Sequence, residues 1–295
     1  MCATDEEVKA EIEALEPGGG PGLYIVATPI GNLGDLSPRA RDTLANASLV
    51  AAEDTRTTLA VLPRTGKRPP TTSLTEHNVH HKIAEVLDAA REGTVALVSE
   101  AGTPALADPG GRLVEAAHRQ GIPVFVVPGP SAPAAAVSAS GFDGSDFHFL
   151  GFLPRQAAAR VARLRAAVAS ASTVVFLESP KRLPRTLSEI AAELDDPETA
   201  VCRELTKVHE ETRRDRASAL ATHFAAGTRG ECTVVLRSPG RRAEHERAKR
   251  LMAAMEAAGA RRAAAAAEVA RETGVSRREA YALWPEADPE PADGL

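Results

Sequence analysis

Three loops rich in glycine and proline are suited to bind a small molecule through backbone groups. The loops are 100–111, 128–131 and 29–34, and they follow the apolar segments 94–99, 122–127 and 23–28. Each loop leads into a segment with helical character, so backbone amides and a helix N-terminus would face the ligand. Three loops placed alike after three strands predict one shared binding site.

The sequence lacks the two commonest nucleotide-binding motifs. No G-x-G-x-x-G follows a predicted strand, and Gly66-Lys67 is followed by Arg68 and has Val61 where a phosphate loop needs its first glycine. NAD chemistry and ordinary nucleoside-triphosphate chemistry are therefore disfavoured. The run Gly18-Gly-Gly-Pro-Gly22 precedes its strand, so we interpret 1–21 as an acidic flexible arm that ends in a hinge.

Strands and helices alternate along the chain, which predicts an α/β fold. In 22–141, strands near 23–28, 48–52, 94–99 and 122–127 alternate with helices near 38–46, 79–92, 110–119 and 131–140. The pattern restarts in 142–240, with strands near 147–152, 172–178, 199–206 and 231–237 and helices near 157–169, 183–193 and 215–224. The sequence thus predicts two successive α/β domains, the first with a mainly parallel sheet.

The composition shifts to Ala, Arg and Glu beyond Gly240. Residues 263–283 predict a helix, a turn with Ser276 as the N-cap and a second basic helix, which is similar to a helix-turn-helix. The unit 241–284 could bind nucleic acid, or it could be a helical hairpin that packs on the body or on a partner. The carboxylates among prolines in 285–295 predict a disordered tail.

Composition limits the cellular setting and the kind of partner. Among 295 residues, 43% are hydrophobic but only 3% are aromatic, so the cores must be built from Ala, Val and Leu. A net charge of -5 confines any nucleic-acid contact to local patches. Three cysteines without C-x-x-C spacing favour a reducing, cytoplasmic location. The sequence predicts a protein that is neither exported nor membrane-spanning.

Ten short motifs occur in a characteristic order. They are Thr28-Pro-Ile-Gly-Asn-Leu33, Ala52-Glu-Asp-Thr-Arg56, Glu76-His-Asn78, Ala101-Gly-Thr-Pro104, Asp108-Pro-Gly110, Pro128-Gly-Pro-Ser131, Gly151-Phe-Leu-Pro154, Phe176-Leu-Glu-Ser179, Arg203-Glu-Leu-Thr-Lys207 and Gly230-Glu231. Together they resemble the bacterial 16S ribosomal RNA (cytidine-2′-O)-methyltransferases, which belong to the tetrapyrrole-methylase class of S-adenosylmethionine (SAM) enzymes. The resemblance spans 22–238.

The resemblance implies a reaction, a cofactor and partners. SAM would donate a methyl group to the ribose 2′-oxygen of a cytidine in the decoding region of 16S ribosomal RNA, leaving S-adenosylhomocysteine and using no metal. The partners would be 16S ribosomal RNA or the small ribosomal subunit, together with a second copy of the chain in a homodimer. No membrane is involved.

The resemblance also implies that SAM lies in the cleft between the two α/β domains. The implied cofactor contacts are Pro29, Ser99, Glu100, Gly102, Thr103, Pro104, Leu106, Asp108, Pro128, Ser131, Ala132, Phe176, Leu177 and Leu205. Of these, Phe176, Leu177 and Leu205 would close the site from the second domain. Glu100 stands where the family usually has Asp, so the carboxylate is kept with one more methylene.

Glu53, Asp54 and Arg56 are our candidate catalytic residues, because they follow the second predicted strand. A ribose hydroxyl is a weak acid and benefits from a nearby carboxylate or cation. An Asp before Thr55 is also a normal helix cap, and it could form a surface ion pair with Arg56. The sequence leaves both interpretations open.

Four further residues are predicted to contact the substrate. They are Asn78, Lys181, Arg182 and Lys207. The charged members could instead form salt bridges, Lys181 and Arg182 with Glu178, and Lys207 with Glu210 and Glu211. Arg155, Arg160, Arg163 and Arg165 could add a basic surface for RNA.

His77, His80 and His81 would share one helix face, but no partner pattern of carboxylate or cysteine accompanies them. The sequence therefore predicts no metal site.

Two other functions are compatible with the same fold, since fold does not determine substrate. One is a tetrapyrrole (precorrin-type) C-methyltransferase, and the other is a non-catalytic RNA-binding factor. The Thr-Pro-Ile-Gly-Asn motif and the basic C-terminal segment favour the RNA-modifying enzyme over the first. Intact loops with Thr103, Asp108 and Ser131 argue against the second.

Overall fold

The computed structural model describes residues 20–56, 58, 68–75, 77–108, 110–273 and 275–285. The chain divides into two compact units, Met1–Ala139 with Cys202–Thr212, and Ser140–Val201 with Arg213–Leu295. The expected domain 142–240 assigned 202–212 to the second domain, whereas the structure groups this segment with the first unit. The acidic arm, except for its last two residues, and the tail beyond 285 lie outside the described residues.

The first unit is built around a parallel sheet. Its strands are β1 (Gly22–Val26), β2 (Leu49–Ala52), β3 (Thr71–Ser73), β4 (Thr94–Val98) and β5 (Val124–Val127), and its helices are α1 (Pro38–Asn46), α2 (Val79–Glu92), α3 (Gly110–Arg119) and α4 (Ala132–Ser140). The strand order is β3-β2-β4-β1-β5, and all neighbouring pairs are parallel. The predicted α/β architecture is confirmed, and β3 is an addition to it.

Strand β4 is buried along its whole length, as expected for a central parallel strand covered on both faces. Its side chains alternate between two cores. Val95 and Leu97 share a core with residues of α2 and α3, whereas Ala96 and Val98 share one with residues of α1. This double anchoring fixes the carboxyl end of β4, which Ser99 and the predicted loop 100–111 follow.

The second sheet is mixed. Its strands are β6 (Phe147–Phe152), β7 (Thr173–Glu178), β8 (Glu198–Arg203), β9 (Glu211–Arg216) and β10 (Cys232–Arg237), and α5 (Ala157–Ser170), α6 (Leu183–Glu193) and α7 (Ala217–His223) accompany it. The strand order is β6-β7-β10-β8-β9, with β6 parallel and β10 antiparallel to β7. The helix expected near 215–224 begins at Ala217, because the chain up to Arg216 forms the edge strand β9.

Arg160 lies inside the second unit, which corrects its assignment to a basic RNA-binding surface. The residue is 2% exposed. Its Nε and one terminal nitrogen donate to the two carboxylate oxygens of Glu189, each at 2.7 Å. The other terminal nitrogen donates to the carbonyls of Pro154 and Arg155, both at 3.0 Å. These bonds account for the buried charge, which leaves no role for Arg160 at a surface.

Three C-terminal helices belong to the second unit and also have a small core of their own. They are α8 (Pro239–Ala257), α9 (Arg262–Thr273) and α10 (Arg277–Ala282). Their shared core includes Met252, Val269 and Val275. Ser276 caps α10 as expected from the sequence, because its hydroxyl accepts a hydrogen bond from the N–H of Glu279.

Within the described residues, we find no helix with the length and apolar character needed to cross a membrane.

Candidate functional site

The loop that follows β4 is tied to the loop that follows β1. Gly102 donates its N–H to the carbonyl of Thr28 (3.1 Å) and accepts from the N–H of Thr28 (2.9 Å). Gly102 has φ +82°, a conformation that L side chains rarely adopt, and a Cβ there would lie 3.2 Å from Cγ2 of Ile30. The backbone conformation therefore favours glycine at this position, and a side chain would also require a small shift of Ile30.

The third predicted loop joins the same arrangement. The hydroxyl of Thr103 donates to the carbonyl of Pro130 (3.1 Å). Gly129 approaches the residue that follows β1 so closely that a Cβ on it would lie 3.0 Å from Cβ of Ala27. The loops after β1, β4 and β5 thus meet at the carboxyl edge of the first sheet, where parallel α/β sheets bind ligands.

Two alanines in the loop after β4 adopt strained backbone conformations. Ala105 has φ +67° and Ala107 has φ +72°, and neither residue has the freedom of glycine. Such conformations cost about 1–3 kcal/mol each and cluster at ligand-binding sites. Leu106, between them, is 47% exposed. Sequence inspection missed both alanines, since nothing in an Ala-Leu-Ala run signals a left-handed backbone.

Several backbone donors of this loop are available to a ligand. The N–H groups of Thr103, Ala105 and Ala107 form no hydrogen bond with any residue that the structure describes. Ser99 is buried, and its hydroxyl turns toward the carbonyls of Ala101 (3.3 Å) and Gly102 (3.4 Å). The loop therefore combines a base that is tied by hydrogen bonds with backbone donors that no described residue occupies.

Three polar residues and several apolar ones line a small cavity at the loop after β4. Glu53, Ser99 and Asp108 line it together with Leu74 and Leu97. Burial raises the pKa of Asp108, the negative charge of Glu100 adds to this rise, and the hydrogen bond with Ser99 opposes it. The structure thus brings one candidate catalytic residue, Glu53, together with two predicted cofactor residues.

Asp54 and Arg56 are occupied with each other. The guanidinium of Arg56 donates to both oxygens of Asp54, from Nε at 3.1 and 3.2 Å and from a terminal nitrogen at 2.8 Å. The N–H of Arg56 also donates to Oδ1 of Asp54 (2.8 Å). This is the turn with a surface ion pair that the sequence left open as an alternative. Their catalytic role stays a prediction.

The segment 202–212 contacts the loop after β1. A Cβ on Gly31 would lie 2.5 Å from Cγ of Lys207 and 3.0 Å from the carbonyl oxygen of Leu205, so only glycine allows the Lys207 stem to cross here. Nζ of Lys207 donates to Oε1 of Glu204 (3.0 Å). Glu204 and Thr206 have φ +52° and +66°, a second strained stretch. Leu205 is buried beside it.

The other predicted substrate residues have structural partners or lie on the surface. Asn78 holds a turn, since its Oδ1 accepts from the N–H of Thr75 (2.7 Å) and its Nδ2 donates to the carbonyl of Ser73 (3.1 Å). Arg182 donates to the carbonyls of Leu153 (3.2 Å) and Pro154 (3.0 Å) and pairs with Glu178. Lys181 is exposed. Contact of these residues with RNA stays a prediction.

The remaining predicted cofactor residues differ in how far they are buried. Pro29 and Pro104 are buried, Glu100 and Pro128 are exposed, and Ser131 and Ala132 are half-buried at the start of α4. Phe176 is fully buried in the core of the second unit, so only its backbone could reach a ligand, whereas Leu177 is half-buried. Their contacts with SAM stay predictions.

No group of three His, Cys, Asp or Glu side chains suited to a metal ion occurs in the part of the chain that the structure describes. His77, His80 and His81 are exposed. The guanidinium of Arg112 donates to Nε2 of His80.

Comparison with known proteins decides the family. The family model of the tetrapyrrole (corrin/porphyrin) methylases matches residues 22–221. A relative named ribosomal RNA small subunit methyltransferase I, from Mesorhizobium japonicum, is 47% identical over 72% of this chain and 74% of its own length. The protein of the same name from Thermotoga maritima is 45% identical over 72% of this chain and 97% of its own length.

The chain belongs to the ribosomal RNA small subunit methyltransferase I family, within the tetrapyrrole methylases. The resemblance drawn from the ten motifs is confirmed at this level. A similar solved structure, the Thermus thermophilus uroporphyrin-III C-methyltransferase complexed with S-adenyl homocysteine, has a TM-score of 0.53. It is 21% identical and covers 73% of this chain and 97% of its own, which shows the shared fold.

Proposed function

We propose that this chain is a SAM-dependent methyltransferase that methylates the ribose 2′-oxygen of a cytidine in 16S ribosomal RNA. The observation that carries the proposal is the match, at 45–47% identity, to relatives named for methylation of small-subunit ribosomal RNA. The position of the hydroxyl and the identity of the base come from the motif resemblance. Homodimerisation and a cytoplasmic location remain expectations of the same resemblance.

The loops of the first unit fit the chemistry of SAM. Thr103, Ala105 and Ala107 offer backbone donors, and the exposed Leu106 offers an apolar surface for an adenine ring. The related fold of the Thermus thermophilus enzyme was solved with S-adenyl homocysteine, which supports a cofactor of this class. SAM supplies an activated methyl group, so the protein must mainly position the acceptor and exclude water.

Within the candidate catalytic set, Glu53 is best placed to act on the acceptor hydroxyl. Glu53 lines the cavity with Ser99 and Asp108. A carboxylate near the ribose orients the 2′-hydroxyl and accepts its hydrogen bond, which strengthens as the oxygen loses its proton. Arg56 and Asp54 then shape the turn that presents Glu53.

The two other candidate functions have less support. The likeness to the uroporphyrin-III C-methyltransferase is 21% in sequence and concerns the fold alone. A non-catalytic RNA-binding factor would gain nothing from the strained backbone at Ala105 and Ala107 or from the unpaired donors beside them. Both observations favour a working cofactor site.

The proposal is tested by incubating the full chain with radiolabelled SAM and small ribosomal subunits from cells that lack this gene. Nuclease digestion and mass spectrometry then locate the label, and subunits from cells that carry the gene serve as the already methylated control. Label in one 2′-O-methylcytidine of the deficient subunits alone is the expected result. Label elsewhere would contradict the acceptor, and failure of SAM to stabilise the protein thermally would contradict the enzyme.

A further inference from the structure

One face of the C-terminal helices combines an exposed aromatic ring with arginines. We call the group Arg262, Arg277, Arg278 and Tyr281 the Tyr281 surface. Tyr281 is 45% exposed, and the guanidinium carbon of Arg262 lies 4.2 Å from the centre of its ring. Arg262 also donates to the carbonyl of Tyr281 from two nitrogens, at 3.1 and 2.9 Å. The stacked pair is therefore held in place before any partner arrives.

The other two arginines of this surface are unneutralised. Arg277 and Arg278 are exposed and form no hydrogen bond or ion pair with any described residue. Other exposed arginines do form ion pairs, for example Arg91 with Asp88 and Arg119 with Glu115. Because residues three and four apart share a helix face, both cations lie beside Tyr281. The surface presents positive charge next to an aromatic ring.

The helix that carries the surface is firmly anchored. A reciprocal capping box begins α10, in which the N–H of Ser276 donates to Oε2 of Glu279 (2.8 Å) and the N–H of Glu279 donates to the Ser276 hydroxyl (3.2 Å). Val275 and Ala280 are buried in the small C-terminal core. The charges are thus presented by a rigid element.

The charge of the region differs in sign from that of the whole chain. From 245 to 285 there are eight Lys and Arg and five Glu, a net of +3, whereas residues 286–295 add four acidic side chains and no basic one, and the whole protein has a net charge of -5. Any attraction for an anionic partner is therefore local to the arginines of the Tyr281 surface.

We propose that the Tyr281 surface binds an unpaired segment of the RNA substrate. Aromatic rings stack on unpaired bases, and arginines bind phosphates. Duplex RNA fits less well, because its major groove is too deep and narrow for side chains to reach. The inference rests on the proposed function for the identity of the RNA. Of the two alternatives for the unit 241–284, the proposal adopts the nucleic-acid-binding unit.

The first test is charge reversal in the full chain. Binding of a fluorescently labelled unpaired oligoribonucleotide, and of the same strand in a duplex, is followed by anisotropy at several salt concentrations. The double variant R277E/R278E is expected to bind the unpaired strand about tenfold more weakly, with a log–log salt slope shallower by about 1.4, which is the value for two phosphate contacts. R91E/R119E, with the same change in net charge, is the matched control and should bind like the wild type.

The second test separates stacking from charge. Tyr281→Ala is expected to weaken binding of the unpaired strand about tenfold, and Tyr281→Phe to keep the affinity, since both aromatic rings stack. Equal binding by R277E/R278E and R91E/R119E, or stronger binding of the duplex than of the unpaired strand, would overturn the proposal.

Thermal stabilisation by SAM, measured on the same samples, keeps the two proposals apart. The variants of the Tyr281 surface should retain it, which also shows that they are folded. A wild type that binds RNA through Arg277 and Arg278 but is not stabilised by SAM would contradict the proposed enzyme and leave this surface supported.

Discussion

The loop region of the first unit and the Arg160 site of the second unit handle buried polar groups in opposite ways. In the loop region, Asp108 is half-buried beside another carboxylate, Ala105 and Ala107 are strained, and neighbouring backbone donors lack partners among the described residues. In the second unit, the guanidinium of Arg160 donates four hydrogen bonds to Glu189 and two carbonyls.

The difference separates stability from function. A fully satisfied buried ion pair holds the packing of α5 against α6, and it offers nothing to a ligand. A strained backbone costs stability, and donors that no described residue occupies are available to a ligand. Substitutions at the two sites should therefore affect different measurements.

The largest expected effect is on stability, at the ion pair. Glu189→Ala leaves the buried charge of Arg160 uncompensated and should lower the free energy of unfolding by about 3–5 kcal/mol in a urea titration. Glu193→Ala, on the same helix, removes the exposed pair with Arg165 and should cost about 1 kcal/mol or less. Similar losses of unfolding free energy in the two variants would show that the Arg160–Glu189 pair does not stabilise the second unit as we describe.

The ion pair should also depend on pH. Burial raises the pKa of Glu189, but the hydrogen bonds and charges of Arg160 and Arg185 outweigh it, so the net shift is downward. Its stabilisation is therefore present above the pKa of the unfolded chain and lost as pH falls through the folded-state pKa. The difference in the free energy of unfolding between the wild type and Glu189→Ala should therefore become smaller as pH falls through that pKa.

The next largest effect is expected on catalysis, at the carboxylates after β2. Glu53→Gln should lower the single-turnover rate of methyl transfer about 100-fold without changing SAM affinity, because only the acceptor loses its carboxylate. Asp54→Asn breaks the exposed pair with Arg56 and should have a much smaller effect. A larger loss in Asp54→Asn than in Glu53→Gln would reverse our assignment.

A smaller effect is expected on cofactor binding, and two glycines that both have a positive φ allow it to be tested. Gly102→Ala and Gly121→Ala both place a side chain at positive φ (+82° and +65°), and each should cost about 1–2 kcal/mol of stability. A Cβ on Gly121 meets nothing within 4 Å. In calorimetric titration, Gly102→Ala alone should weaken SAM binding, by about tenfold. Unchanged SAM affinity in Gly102→Ala would remove this loop from the cofactor site.

The smallest effect is expected at Asp108. Its raised pKa means that the folded state favours protonation of Asp108 more than the unfolded chain does. The stabilising contribution is therefore present below the unfolded-state pKa, about 3.9, and is lost as pH rises through the folded-state pKa. Asp108→Asn should therefore be more stable than the wild type at pH 7 and equal to it in acid. A less stable variant at pH 7 would mean that the charge has a stabilising partner.

Much of the fold was predictable from short-range patterns. Buried strands such as β4, with flanking glycine and proline, and the Ser276 cap have local signals, and these elements match the predictions. Strands β3 and β9 were not predicted. Strand β3 consists of three polar residues, and the sequence of β9 is typical of a charged surface, since an edge strand can carry charges on its exposed positions. Their pairing depends on neighbours that are distant in sequence.

The site was predictable in its loops and less so in its contacts. The positions of the glycines and prolines predicted the loops that meet at Gly102, Thr103 and Pro130. The strain at Ala105 and the burial of Arg160 had no local signal, because both result from tertiary packing. The pairing of Asp54 with Arg56 was visible only as one of two alternatives.

Hydrogen–deuterium exchange with and without saturating S-adenosylhomocysteine tests the central claim most directly. Because the ligand is expected to occupy unused donors of the strained loop, exchange should slow at amides within 101–108 and 129–132. Helices α5 and α6 around Arg160 should exchange at the same rate in both samples. Bound ligand without protection of 101–108 would contradict the account.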